Sequence, residues 1–134
     1  GAAARLAAAL EETQPKLVIL EIGGNDFLRR RPEAEVKQNI RRMLQTLRQR
    51  GVPVVLVAVP RFSPLGAAVG ALSDADLYAE LAEEENVPLV AGVFADVLSD
   101  SALKADPIHP NAAGYRQMAE GIATSLREIG FLAR

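Results

Sequence analysis

Three short, almost uninterrupted apolar runs, at residues 17–22, 52–59 and 87–93, constrain this chain more than anything else in it. A strand with one wet face alternates polar and apolar residues, whereas a continuous run of Val, Ile and Leu needs cover on both faces. The segments between the runs supply that cover. Residues 2–13 are strong helix formers with Leu6 and Leu10 on one face. Pro32 suits the first turn of a second helix, along which Val36, Ile40, Met43, Leu44 and Leu47 recur at helical spacing until Gly51. Ser73-Asp74-Ala75-Asp76 reads as a cap with an acidic first turn, leading through Leu77, Tyr78 and Leu81 to about Glu85. A last helix over 112–129 is expected to bury Tyr115, Met118, Ile122 and Leu126. Residues 61–72 read as a loop, and 94–105 are mixed, with Phe94, Val97, Leu98 and Leu103 as packing residues. Strict alternation of helices and buried strands predicts one α/β domain, a parallel sheet with helices on both faces.

Composition removes several classes of function. A net charge of −2, with both signs interspersed, offers no basic face for nucleic acid and no polybasic cluster for an anionic membrane. The longest apolar runs are strand-length, so none spans a bilayer. Without cysteine there is no disulfide, thiol nucleophile or thiolate metal ligand. Gly1 leads straight into a helix-forming stretch with no initiator Met or signal peptide, so the start at Gly1 is expected to be an internal cut.

Chemistry concentrates in two places. Asp106-Pro107-Ile108-His109-Pro110-Asn111 holds the single histidine, three positions after a carboxylate. A carboxylate bonded to Nδ1 leaves Nε2 free as a base near neutral pH. Pro107 and Pro110 stiffen the turn, and Asn111 can cap the following helix. Gly23-Gly24-Asn25-Asp26 follows the first apolar run and lacks the spacing of a dinucleotide or phosphate loop. Glycines and Asn there can simply turn the chain. Alternatively the Asn25 amide donates to an oxyanion, with Asp26 structural. In parallel sheets ligands bind beyond the carboxyl ends of the strands, so both stretches are expected on one rim. A cation on Asp26, Asp106 and His109 is the weaker alternative. Arg29-Arg30-Arg31 is followed by Glu33 and Glu35 and reads as a locally paired segment, while Phe62, Leu65 and Leu72 are either loop packing or the lining of an acyl pocket.

Gly23-x-Asn25-Asp26 after a buried strand, with Asp106-x-x-His109-Pro110 before a last helix, resembles two of the sequence blocks of the SGNH (GDSL-type) hydrolases. The run 17–28, the strands ending near Pro60 and at 87–90, and the turn 106–113 are most similar to the bacterial thioesterase, lysophospholipase and arylesterase branch. The resemblance implies a flavodoxin-like three-layer α/β/α fold with a parallel sheet and a Ser-His-Asp mechanism on esters or thioesters. His109 corresponds to the base, Asp106 to the acid that orients it, Asn25 to the oxyanion donor and Gly23 to the glycine of that block. It implies no cofactor or metal, and suggests a periplasmic or secreted enzyme.

One departure is as informative as the matches. The family's nucleophile lies in a Gly-Asp-Ser block, and none of Ser63, Ser73, Ser99, Ser101 and Ser125 has that context. By the resemblance residues 1–134 are the C-terminal two-thirds or more of one domain, with its first two strands and the nucleophile expected upstream. Strand 17–22 would then need that segment, or another chain, against its edge. Two alternatives stay open: a carbohydrate O-acetylesterase on the same fold, and a non-catalytic α/β module.

Overall fold

The computed structural model describes residues 2–23, 31–61 and 72–132. The elements run α1 (Ala2–Thr13), β1 (Val18–Glu21), α2 (Glu33–Gln49), β2 (Val54–Val57), α3 (Asp76–Glu84), β3 (Leu89–Val90) and α4 (Val93–Ser99). A 3-10 turn (Ser101–Leu103), β4 (Lys104–Asp106), β5 (His109–Pro110) and α5 (Ala112–Ile129) follow. The sheet has the order β1-β2-β3. β1 pairs in parallel with β2, Val18 opposite Val54 and Glu21 opposite Val57. Leu56 donates to the Pro88 carbonyl and Ala58 to that of Val90, both at 2.9 Å, so this ladder also advances in parallel. The fold is therefore α/β with a parallel sheet, but the expected cover on both faces holds for β2 and not for β1, where only Leu20 is buried and Ile19 is 45% exposed.

The chain forms two compact units, residues 1–57 with 76–89, and residues 58–75 with 90–134. In the first, α2 lies against both α1 and α3. Val36, Ile40, Met43, Leu44 and Leu47 of α2 are all buried, the stripe that the spacing predicts, and every residue of β2 is buried. Each fully buried Leu or Val contributes about 1.5–3 kcal/mol relative to exposure. On the outer side Lys37 pairs with Glu80 at 3.3 Å and Glu84 at 3.1 Å, and Arg41 pairs with Glu84. Arg31 bonds Glu35 at 3.0 Å, the local pairing expected of that basic run.

In the second unit α4 packs on α5, where Gly121 faces Val93. Pro60 and Asp74 form an isolated antiparallel bridge, with the Arg61 amide donating to the Ser73 carbonyl at 3.0 Å and the Ala75 amide to that of Val59 at 3.1 Å. Asp74 also accepts from the Gly92 amide at 2.8 Å. Ser73 and Asp74 thus close a neck in the chain rather than opening a helical turn, and α3 starts at Asp76.

Three further expectations change. The apolar run at 87–93 yields only Leu89–Val90 as strand, because Gly92 takes a left-handed conformation (φ 78°) and starts α4 at once. α4 itself occupies part of the segment read as mixed. Tyr115 is 54% exposed, and the buried stripe of α5 runs instead through Gly114, Met118 and Leu126.

Candidate active site

The Asp106 turn is a tight antiparallel hairpin, β4 to β5, with Asp106 opposite His109 and an irregular register between Lys104 and Asp106. The two prolines keep this segment out of helical geometry, and the Asp106 side chain closes the turn. Its Oδ1 accepts from the backbone amides of Ile108 and His109, both at 2.9 Å. The same carboxylate meets the imidazole, with His109 Nδ1 3.0 Å from Oδ1 and 2.9 Å from Oδ2. An Nδ1–H donating to that carboxylate leaves the Nε2 lone pair as the available base.

The Ile108 amide, together with the bond and the charge of His109, holds the Asp106 carboxyl below its ordinary value. It therefore stays ionised across the range in which an imidazole exchanges protons. Both side chains are about half exposed, His109 at 56% and Asp106 at 50%.

The hairpin is fastened by Asn111. Its Oδ1 accepts from the Gly114 amide at 2.9 Å, capping α5 as the sequence predicts. Its Nδ2 donates to the Ala102 carbonyl at 2.9 Å, and its backbone amide donates to the Leu103 carbonyl at 2.8 Å. One residue thus ties together the 3-10 turn, the hairpin and the last helix. Pro110 is buried beneath them.

Gly23, in the first unit, follows β1 with φ +114°, a conformation that side chains rarely adopt. A Cβ placed there would collide with the Tyr78 hydroxyl. That hydroxyl donates to the Ile22 carbonyl at 2.5 Å, and Tyr78 is fully buried. Tyr78 therefore holds the chain at the exit of β1, a part that its apolar ring, read as one more core position of α3, does not reveal. Asn25 and Asp26, as well as Phe62 and Leu65, lie outside the described residues, so the oxyanion, cation and acyl-pocket assignments that use them rest on the sequence. Of the serines, Ser99 accepts from the Leu72 amide at 3.0 Å, and the carbonyl of Ser73 takes the Arg61 amide.

Comparison with known proteins gives the family. The chain is 33% identical over 133 residues to the esterase TesA of Pseudomonas aeruginosa, covering 96% of this chain and 64% of the relative. It is 31% identical over 127 residues to thioesterase 1/protease 1/lysophospholipase L1 of Escherichia coli K12, covering 94% and 61%. The chain thus spans somewhat less than two thirds of the length of these relatives. Its fold matches the crystal structure of TesA with a TM-score of 0.79 at 31% identity, covering 96% of this chain and 72% of that one. The family model for GDSL-like lipases and acylhydrolases matches residues 1–117, which takes in both the Gly23 turn and the Asp106–His109 pair, and the chain belongs to that family.

Proposed function

We propose that the protein containing this chain hydrolyses carboxylic esters or thioesters through a serine nucleophile, with His109 as general base. The observation that carries the reading is the imidazole Nδ1 within 3.0 Å of both Asp106 oxygens. In this scheme Nε2 takes the proton from a serine hydroxyl as its oxygen bonds to the acyl carbon. The carbonyl electrons move to the oxygen, and the Asn25 side-chain amide donates a hydrogen bond to the resulting oxyanion, with Gly23 assigned to the same sequence block. Collapse expels the alcohol or thiol, which leaves with the proton from His109. Water, deprotonated by the same nitrogen, then attacks the acyl-enzyme and releases the acid. Asp106 stays ionised throughout and orients the ring.

None of the five serines lies in a Gly-Asp-Ser context, so the attacking hydroxyl is assigned to a serine outside these 134 residues. The segment that bears it, or another chain, is assigned to the edge of β1, which is terminal in the strand order among the described residues, with Ile19 45% exposed. Acyl-chain contacts are assigned to Phe62 and Leu65. The relatives described as an esterase and as a thioesterase and lysophospholipase support the substrate class.

The test is hydrolysis of p-nitrophenyl and thioester substrates by the full-length gene product and its His109→Ala variant. Loss of the base is expected to lower kcat by about 10³-fold or more, leaving the residual rate that oxyanion stabilisation and binding supply. An unchanged kcat in a folded His109→Ala variant would overturn the proposal.

A further inference from the structure

Asp106 fixes the His109 ring relative to the hairpin, but it does not fix the hairpin relative to the rest of the unit. The described contacts around the hairpin converge on Gly114, in the first turn of α5. Gly114 is buried, and a Cβ built on it would overlap the Leu103 carbonyl oxygen and approach Pro110 Cβ to 2.9 Å and Val97 Cγ1 to 3.0 Å. Leu103 runs directly into β4, and Pro110 is the β5 residue that follows His109. The helix therefore rests at once on the 3-10 turn that leads into β4 and on β5, through the place where any other residue would carry a side chain. The principal obstacle is a backbone oxygen that also accepts the Asn111 amide, so it cannot swing aside as a flexible side chain does.

Helix propensity sharpens the point. Glycine inside a helix is about 1 kcal/mol worse than alanine, and Gly114 sits among alanines in Asn111-Ala112-Ala113-Gly114. It lies in ordinary helical backbone, with no left-handed φ to explain it. What remains is the close approach of helix and hairpin.

We propose that Gly114 is a positioning residue for His109: its missing side chain lets α5 seat the hairpin, and through it the imidazole, at one fixed height. The inference rests on the assignment of His109 as the base. A displacement of a catalytic group by about 1 Å costs on the order of 10²-fold in rate.

The experiment compares Gly114→Ala with Gly121→Ala in the full-length gene product. Gly121 is an internal control on the same helix, since its Cβ would crowd only Val93, at 2.9 Å, far along α5 from the hairpin. Gly114→Ala is expected to lower kcat about 10²-fold with KM within about twofold, while Gly121→Ala keeps kcat within about twofold. Equal kcat losses in the two variants would reduce the effect to stability and overturn the inference, as would an unchanged kcat in Gly114→Ala.

A second variant reads the same clasp without crowding, should Gly114→Ala not fold. Asn111→Ser keeps a capping oxygen for the Gly114 amide and deletes the donor to the Ala102 carbonyl. It is expected to lower kcat several-fold at constant KM, and an unchanged kcat would count against the inference. His109→Ala in the same assay separates the two levels. If it is fully active, the base assignment fails; if it is inactive while Gly114→Ala and Asn111→Ser are normal, only the positioning role fails.

Discussion

Asp106 Oδ1 is shared among two backbone amides and the imidazole, while Oδ2 faces Nδ1. That arrangement makes one carboxylate both the closure of the turn and the hydrogen-bond partner of the imidazole. It also predicts how the two tasks separate. Asp106→Asn keeps an acceptor for the Ile108 and His109 amides, so the hairpin is expected to form. The charge is lost, however, and the new NH₂ can face Nδ1, which favours the wrong tautomer. In a Ser-His-Asp triad this change lowers kcat by about 10⁴-fold, and a loss of that order is expected here in the full-length gene product. The single histidine gives an independent check in the 134-residue chain, since the ¹⁵N spectrum of one imidazole reports its tautomer without overlap. A spectrum in Asp106→Asn identical to that of the parent chain would count against the orienting role. The His109–Asp106 pairing is legible in the sequence because it is local, three residues apart between prolines. The parts played by Tyr78 and Gly114 are not, because what matters about each is contact with residues far along the chain.

Among the helices and strands, those with regular apolar spacing can be read directly, and the short pieces cannot. α4 has seven residues and starts from a left-handed glycine without a side-chain cap, so it offers neither periodicity nor a start signal. Apolar spacing misplaces the buried stripe of α5 at Tyr115 because a count of apolar residues cannot score Gly114 as a core position. The end of β1 shows the same limit. Gly23 adopts φ +114° with the Tyr78 hydroxyl filling the space a side chain would need. Tyr78→Phe removes the donor to the Ile22 carbonyl and is expected to cost about 1–3 kcal/mol. Gly23→Ala adds backbone strain of about 1–3 kcal/mol to the clash with that hydroxyl. In the Tyr78→Phe background the clash disappears, since the next neighbours, Val36 Cγ1 at 3.5 Å and the ring carbon at 3.6 Å, are at ordinary contact distance. The double variant is therefore expected to lose less stability than the sum of the singles, by about 0.5–3 kcal/mol in a urea-denaturation cycle. Strict additivity would show that the hydroxyl and Gly23 are independent.

Across the chain, apolar runs alternating with helices are enough to specify a parallel α/β sheet, although only β2 is buried throughout and β1 leaves Ile19 45% exposed. The response to pH is not readable in that pattern, since it depends on where each carboxylate ends up. Burial raises the Glu21 carboxyl above its ordinary 4.5, and burial with the charge of Asp96 raises that of Asp74 above 3.8, against the opposing Gly92 bond. Asp74 also has one buried oxygen, Oδ1, without a partner among the described residues. Bonds from Lys37 and Arg41 lower Glu84, and the Ile108 amide and His109 lower Asp106. A raised carboxyl takes up its proton more readily in the folded state. Its contribution is complete below the unfolded value and is lost as pH rises through the folded one. The lowered pair has the opposite sign, with stability present above the unfolded values and lost as pH falls through the folded ones. Stability is therefore expected to rise as pH falls from neutrality, to peak near the ordinary carboxylate range, and to decline in more acid solution. Thermal melts of the 134-residue chain between about pH 3 and pH 7 would trace the curve. Asp74→Asn keeps an acceptor for the Gly92 amide without the buried charge, so it should flatten the neutral limb and leave the acid limb in place. A neutral limb of unchanged slope in Asp74→Asn would show that the buried carboxylate does not drive it.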